Sequence, residues 1–283
     1  APMLADFGAE VTLIEPPSGS PVRSMPPFDP AADGLGSLLF FHLNLGKGSI
    51  ALDRSTDAGR AKLLELVKSA DAVIVGLNAD RGALQQANPN CVVTLVSDFG
   101  DDGPFRHWRG SEMIFQALSG MMYVNGSGDR EPLYGVGHRA QYASGVGAYI
   151  MTVAALYARK TTGQGQQLAL DVAMNTSWMA PPATVEYAYS RMLDPRGERR
   201  SPFMVVKCAD GFVSIWVHLH VWSGFCKAAN IPELEHDPRF AKGKERQDNW
   251  AELTARVQER VRELSGDELL DPLLEGRIAA AKA

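Results

Sequence analysis

Several side chains in this sequence are of types that do chemistry once a fold brings them together. Asp98, Asp101 and Asp102 crowd behind the apolar run Cys91–Ser97. Carboxylates in a loop at the carboxyl edge of a strand can serve as catalytic acids or bases in α/β proteins, and they equally make a solvated acidic turn. His218 and His220 alternate near the end of another apolar run. On a strand both would face one side and could share a metal ion, but no third ligand stands at a telling spacing, which leaves a surface or interface pair. Gly46-Lys47-Gly48-Ser49 looks like the end of a phosphate loop. It has Gly48 where that motif demands Ser or Thr, and Phe41 where its first Gly belongs, so it reads as a turn. The Gly-Val-Gly triplets at 135–137 and 145–147 do not extend to the dinucleotide fingerprint, so no nicotinamide or flavin is expected. Asp98-Phe99-Gly100 is a kinase triplet without any other kinase element near it.

The elements that must position these residues alternate strand and helix through the first half. Glu10–Glu15 is a short strand stopped by Pro16 and Pro17, and Ser49–Asp53 is a second. Thr56 or Asp57 caps a helix whose Leu63, Leu66, Val67 and Ala70 share one face. Ala72–Val75 and Cys91–Ser97 are continuous apolar runs, as expected of strands covered on both faces. Such alternation predicts βαβ units and a mostly parallel sheet. Met113–Met122 is a predicted helix, Ala143–Arg159 a long buried one, and Gln167–Val172 a further strand. Residues 184–202 turn polar and basic and read as a linker. Beyond it, Phe203–Cys208 and Phe212–Trp216 flank Ala209-Asp210-Gly211 as an antiparallel hairpin. Leu253, Val257, Val261 and Leu264 form an amphipathic stripe, and Ser265 with Glu268 a capping box for a last helix interrupted at Pro272. The predicted division is an α/β domain over 1–183 and a smaller α+β domain over 203–283.

Composition narrows the function classes. With 283 residues and 45% hydrophobic content the chain can bury a full core, and 22% charged residues exclude a low-complexity chain. A net charge of −5 without a basic run argues against nucleic acid or an anionic membrane as partner. The uncharged stretch Tyr142–Ala158 falls short of the roughly 20 apolar residues of a membrane span. Cys91, Cys208 and Cys226 are too few and too scattered for a disulfide scaffold, so a reducing cytoplasm is the expected setting and the sequons at Asn125 and Asn175 are chance matches.

The succession of longer segments carries more information. It runs LADFGAEVTLIEPPSGSPVR (4–23), LNLGKGSIALD (43–53), AGRAKLLELVKSADAVIV (58–75), NPNCVVTLVSDFGDDGP (88–104), FQALSGMM (115–122), AALYARKTTGQGQQLALDVAM (154–174) and CADGFVSIW (208–216). In this order the segments resemble the class III (family III) coenzyme A transferases, the group that includes carnitine-dehydratase-like proteins and α-methylacyl-CoA racemases. The resemblance implies a large Rossmann-like domain with a smaller one, and two subunits threaded through each other, as homodimer or as heterodimer with a catalytic paralogue. Its ligands would be an acyl-CoA and a small carboxylic acid, with no metal. Set beside the family, the chain is expected to lack the first strand before Ala1 and a C-terminal return to the large domain after Ala283.

In the transferases an Asp carboxylate attacks the thioester and forms a mixed anhydride, from which coenzyme A and acceptor acid exchange. The resemblance places Gln141 at that position, four residues before Gly145. A Gln amide is uncharged and its nitrogen lone pair delocalised, so it cannot form the anhydride, though it can hydrogen-bond a thioester or carboxylate. Glu112 or Asp171 would then have to supply the carboxylate, or a partner subunit would. The racemase branch implies a His where this chain reads Gly110-Ser111-Glu112, and its Asp also falls on Gln141. Coenzyme contacts are implied at Leu52, Leu77, Arg109 and Ser111, the Arg109 fork being suited to phosphate. The family's Asn-Phe-x-Pro-Gly loop is replaced by Gly76–Arg81, and its Gly-rich closing loop by RGERRSP at 196–202.

Overall fold

A computed structural model of the chain describes residues 2–30, 36–179, 185, 187–189, 191, 196 and 202–283. The chain divides into two compact units, Ala1–Arg196 and Gly197–Ala283. The predicted linker and the RGERRSP loop lie largely outside the described residues.

The first unit opens with α1 (Pro2–Asp6), closed by Gly8 in the left-handed region at φ 89, where a side chain would be strained. Then β1 (Thr12–Glu15), α2 (Leu38–Asn44) and β2 (Gly48–Ala51) follow, β1 and β2 pairing in parallel. Next come α3 (Asp57–Val67), β3 (Ala72–Val75), α4 (Arg81–Ala87) and β4 (Val92–Ser97). Thr56 caps α3 by accepting the Gly59 N–H at 3.1 Å. After β4 come α5 (Glu112–Leu118), α6 (Met121–Val124), α7 (Arg139–Thr162), β5 (Gln167–Asp171) and α8 (Val172–Trp178). Strands β3, β4 and β5 form a second parallel sheet in that order. Val92, Val93, Thr94 and Leu95 of β4 are buried, as a strand covered on both faces requires.

Helix α7 lies over β4 through a row of small residues: Ala140, Ser144, Ala148, Thr152 and Ala155 are all buried. Their size lets the backbones approach, and Thr152 Oγ1 meets Thr94 Oγ1 at 2.7 Å. The opposite face corrects the expectation of a helix buried all round. Tyr142, Val146, Ile150, Val153 and Tyr157, spaced four, four, three and four apart, are exposed. Because every face of this helix is apolar, periodicity alone could not reveal which side lacked cover.

The second unit is an antiparallel sheet of β6 (Phe203–Cys208), β7 (Gly211–Trp216) and β8 (Ala280–Lys282), with helices α9 (Trp222–Ala228), α10 (Gly243–Asp248), α11 (Trp250–Val261) and α12 (Gly266–Glu275). Its core is continuous, with Phe225, Phe240, Leu253, Val257, Val261 and Leu269 at 0% exposure. The Ser265–Glu268 capping box forms in both directions.

Three local expectations are corrected. Gly120, at φ 81, splits the helix predicted over Met113–Met122 into α5 and α6. Pro272 does not interrupt α12; it sits inside the helix and forfeits only the bond its missing N–H would make. His218 and His220 lie beyond the end of β7, flanking Leu219 at a single 3₁₀ turn, although their rings still meet at 4.0 Å.

Candidate functional site

The carboxyl ends of strands from both parallel sheets open onto one cavity of about 240 Å³ in the first unit. Arg54 enters it from the segment after β2, Leu77 and Asn78 from the loop after β3, Ser97 and Asp98 from the end of β4, and Arg109 from the loop ahead of α5. This is the edge at which open α/β sheets bind ligands. Among the described residues neither Arg54 nor Arg109 has its guanidinium in an ion pair, and both are exposed. Two uncommitted forks of N–H donors suit an anion with several oxygens, phosphate above all.

From Arg109 the chain leads directly to a second place of interest. Gly110 donates its N–H to Asp98 Oδ2 at 2.9 Å. Ser111 is the N-cap of α5 and accepts the Ile114 N–H at 3.5 Å. Glu112, the first residue of α5, is buried and reaches across to the start of α7. Its Oε1 accepts the Ala140 N–H at 2.7 Å and the Gln116 amide at 2.9 Å, and its Oε2 accepts the Gln141 N–H at 3.3 Å. A helix start leaves its first N–H groups without intrahelical partners and carries partial positive charge, so an anion from another element is a good cap. Gln116 in turn bonds the N–H and the carbonyl of Gly135 at 2.9 and 3.0 Å, which ties down the loop entering α7.

The residues singled out from the sequence therefore fall into two groups. Leu77 and Arg109 share the cavity with Asp98. Glu112 and Gln141 meet at the start of α7, with the Gln141 side chain exposed. Ser111 lies between the groups as a helix cap. Leu52 is half-buried, gives its N–H to the Glu15 carbonyl at 2.8 Å, and stands two residues before Arg54 without lining the cavity. Asp101 pairs with Arg81. Asp171 caps α8 by accepting the Met174 N–H at 3.1 Å.

Arg54 escaped the sequence reading, although a basic residue directly behind the Ala-Leu-Asp strand end was a usable signal. Glu15, at the carboxyl end of β1, escaped it too. It is buried, accepts from the Arg23 guanidinium twice at 2.7 Å, from the Ser20 N–H at 2.8 Å and from the Ser49 hydroxyl, and the Arg23 and Ser49 bonds lead in holding its carboxyl down at about 2.

The thiols are poor nucleophiles. Burial pushes Cys226 up to about 12 and raises Cys91 and Cys208, away from the reactive thiolate. Among the described residues no group of three or more His, Cys, Asp or Glu side chains is gathered to hold a metal ion. No described helix is long and apolar enough to cross a membrane.

Comparison with known proteins gives this geometry a context. The chain is 30% identical over 273 residues to an acetyl-CoA:oxalate CoA-transferase of Acetobacter aceti, spanning 90% of this chain and 69% of that protein. It is 32% identical over 310 residues to a succinyl-CoA:mesaconate CoA-transferase of Haloarcula marismortui, spanning 99% and 74%. A crystal structure of a CAIB/BAIF family protein from Brucella suis superposes with a TM-score of 0.83 at 28% identity, covering 99% of this chain and 78% of that one. The sequence model of CoA-transferase family III matches residues 1–283, and the chain belongs to that family.

Proposed function

We propose that this chain is the coenzyme A-binding subunit of a transferase that moves coenzyme A between carboxylic acids, and that residue 141 deprives it of its own nucleophile. The observation that carries this reading is the contrast within the site: Arg54 and Arg109 stand free in the cavity, while Glu112 has both oxygens engaged at the start of α7. In the transfer step a carboxylate attacks the thioester carbonyl, the C–S bond breaks, coenzyme A leaves as the thiolate, and the acyl group remains as an anhydride. The free arginines hold the phosphates while this happens, and the N–H groups at a helix start can steady the oxyanion. Gln141 can orient a carbonyl by hydrogen bonding but cannot carry the acyl group.

The missing carboxylate then comes from a partner chain. The uncovered apolar stripe of α7, from Tyr142 to Tyr157, supports a partner subunit, because monomers rarely leave such a row open to water. The relatives' donor and acceptor acids are small carboxylates or their thioesters, oxalate and mesaconate among them, and acids of this class are the substrates proposed here.

The test is to purify the chain alone, titrate it with coenzyme A by calorimetry, assay coenzyme A exchange from a panel of acyl-CoA donors, and in a separate incubation add hydroxylamine to trap anhydrides. Binding without exchange and without a trapped adduct is expected. Exchange by the chain alone would remove the need for a partner, and absence of binding would remove the coenzyme A reading altogether.

A further inference from the structure

A carboxylate inside a cavity that offers two arginines to an anion opposes the ligand, since like charges a few ångströms apart repel. Asp98 is such a carboxylate. Its side chain is not spent on either arginine; Oδ2 accepts the N–H of Gly110, twelve residues later and next to Arg109. Its own carbonyl accepts the Ala173 N–H at 3.1 Å, so the residue is fixed from the α8 side as well. Gly110 is pressed against Phe115: a Cβ there would come within 2.1 Å of the ring. Phe115 is buried and packs on Phe99, the residue after Asp98, with ring centroids 5.8 Å apart. The loop carrying Arg109 is thus laid on an aromatic floor and tied by one carboxylate.

We infer that Asp98 is a positioning residue for Arg109, holding the Gly110 backbone so that the guanidinium is presented to the phosphates before they arrive. The inference rests on the coenzyme A reading and adds to it how the anion site is kept in shape. Preorganisation of this kind raises affinity by removing an ordering cost from binding. The arrangement contains a conflict, because the acceptor oxygen is useful and the charge is not. An Asn at this position keeps the acceptor and removes the charge, whereas an Ala removes both.

The measurement is a double-variant cycle read by calorimetry, with coenzyme A and, separately, inorganic diphosphate as probes. Asp98→Asn is expected to bind coenzyme A a few-fold tighter than the parent, on the order of the screened repulsion it relieves. Asp98→Ala is expected to bind about tenfold weaker, comparable to Arg109→Ala. The Asp98→Ala/Arg109→Ala protein is expected to bind no more weakly than Arg109→Ala alone, because one residue acts through the other. The inference is overturned if Asp98→Ala binds as the parent does, if Asp98→Asn is as weak as Asp98→Ala, or if the two losses multiply. Should Asp98→Ala fail to fold, Asp98→Ser, whose hydroxyl is too short to reach the Gly110 N–H, takes its place in the cycle with the same expected and overturning results. Should the parent bind diphosphate but not coenzyme A, the coenzyme A reading fails while the diphosphate cycle still judges Asp98; binding of neither overturns both.

Discussion

The two ends of the site in the first unit handle polar groups in opposite ways. At the cavity, Arg54 and Arg109 are exposed and have no ion-pair partner among the described residues. At the start of α7, Glu112 is buried with both oxygens bonded to amides of the protein itself. A donor left free can serve a ligand; an acceptor already satisfied serves the fold. The difference teaches how one unit divides its polar groups: the cavity end keeps donors open to an anion, while the α7 end spends its amides on a buried carboxylate of its own.

The largest effect expected from disturbing this contrast is at Glu112. Replacing it with Ala strands the Ala140 and Gln141 N–H groups and the Gln116 amide, a loss of about 3 kcal/mol in folding stability. Chemical denaturation would read it, and a loss below 1 kcal/mol would mean the cap is ornamental. At the cavity end, Arg54→Ala or Arg109→Ala should each weaken coenzyme A binding about tenfold while leaving the unfolding midpoint in place. Equal effects of either arginine on stability and on binding would erase the distinction between the ends.

A smaller effect concerns pH. The Glu15 carboxyl is held at about 2 against an ordinary 4.5, so it binds fewer protons folded than unfolded across that interval. Its stabilisation is full above about 4.5 and drains away as pH falls toward 2. Melting of the parent and of Glu15→Gln should therefore converge as the solution is acidified from pH 5 to pH 2. A difference that stays constant would contradict the assignment. The smallest effect on folding is expected on the open stripe of α7: Ile150→Ser should change the stability of the isolated chain by less than about 0.5 kcal/mol. Its effect should appear when the chain is mixed with a carboxylate-bearing paralogue, as weaker association measured by sedimentation.

Much of this was legible in the sequence, because the information was local. The short strands, the Ser265–Glu268 box and the order of segments that resembles the family depend on neighbours in the chain. Leu77 and Arg109, expected from the resemblance as coenzyme contacts, both line the cavity. The task of Glu112 was not legible, since its partners lie 28 and 29 residues away and nothing in the spacing says that α5 begins beside α7. The open face of α7 was hidden for a different reason: Tyr142, Val146, Ile150 and Tyr157 look as buriable as the small residues opposite them. Asp98 was visible as one of three clustered carboxylates, yet whether it faced solvent, a substrate or an amide was decided by the path of the 99–110 loop.

In the proposed function, what keeps this chain from turning over alone is the absence of a carboxylate at residue 141. The most direct test is the incorporation of labelled coenzyme A into an acyl-CoA pool by the parent and by Gln141→Asp, each purified without a partner chain. The account predicts equal coenzyme A affinity for the two proteins, exchange by Gln141→Asp, and none above background by the parent. Exchange by the parent at the rate of the variant would contradict it.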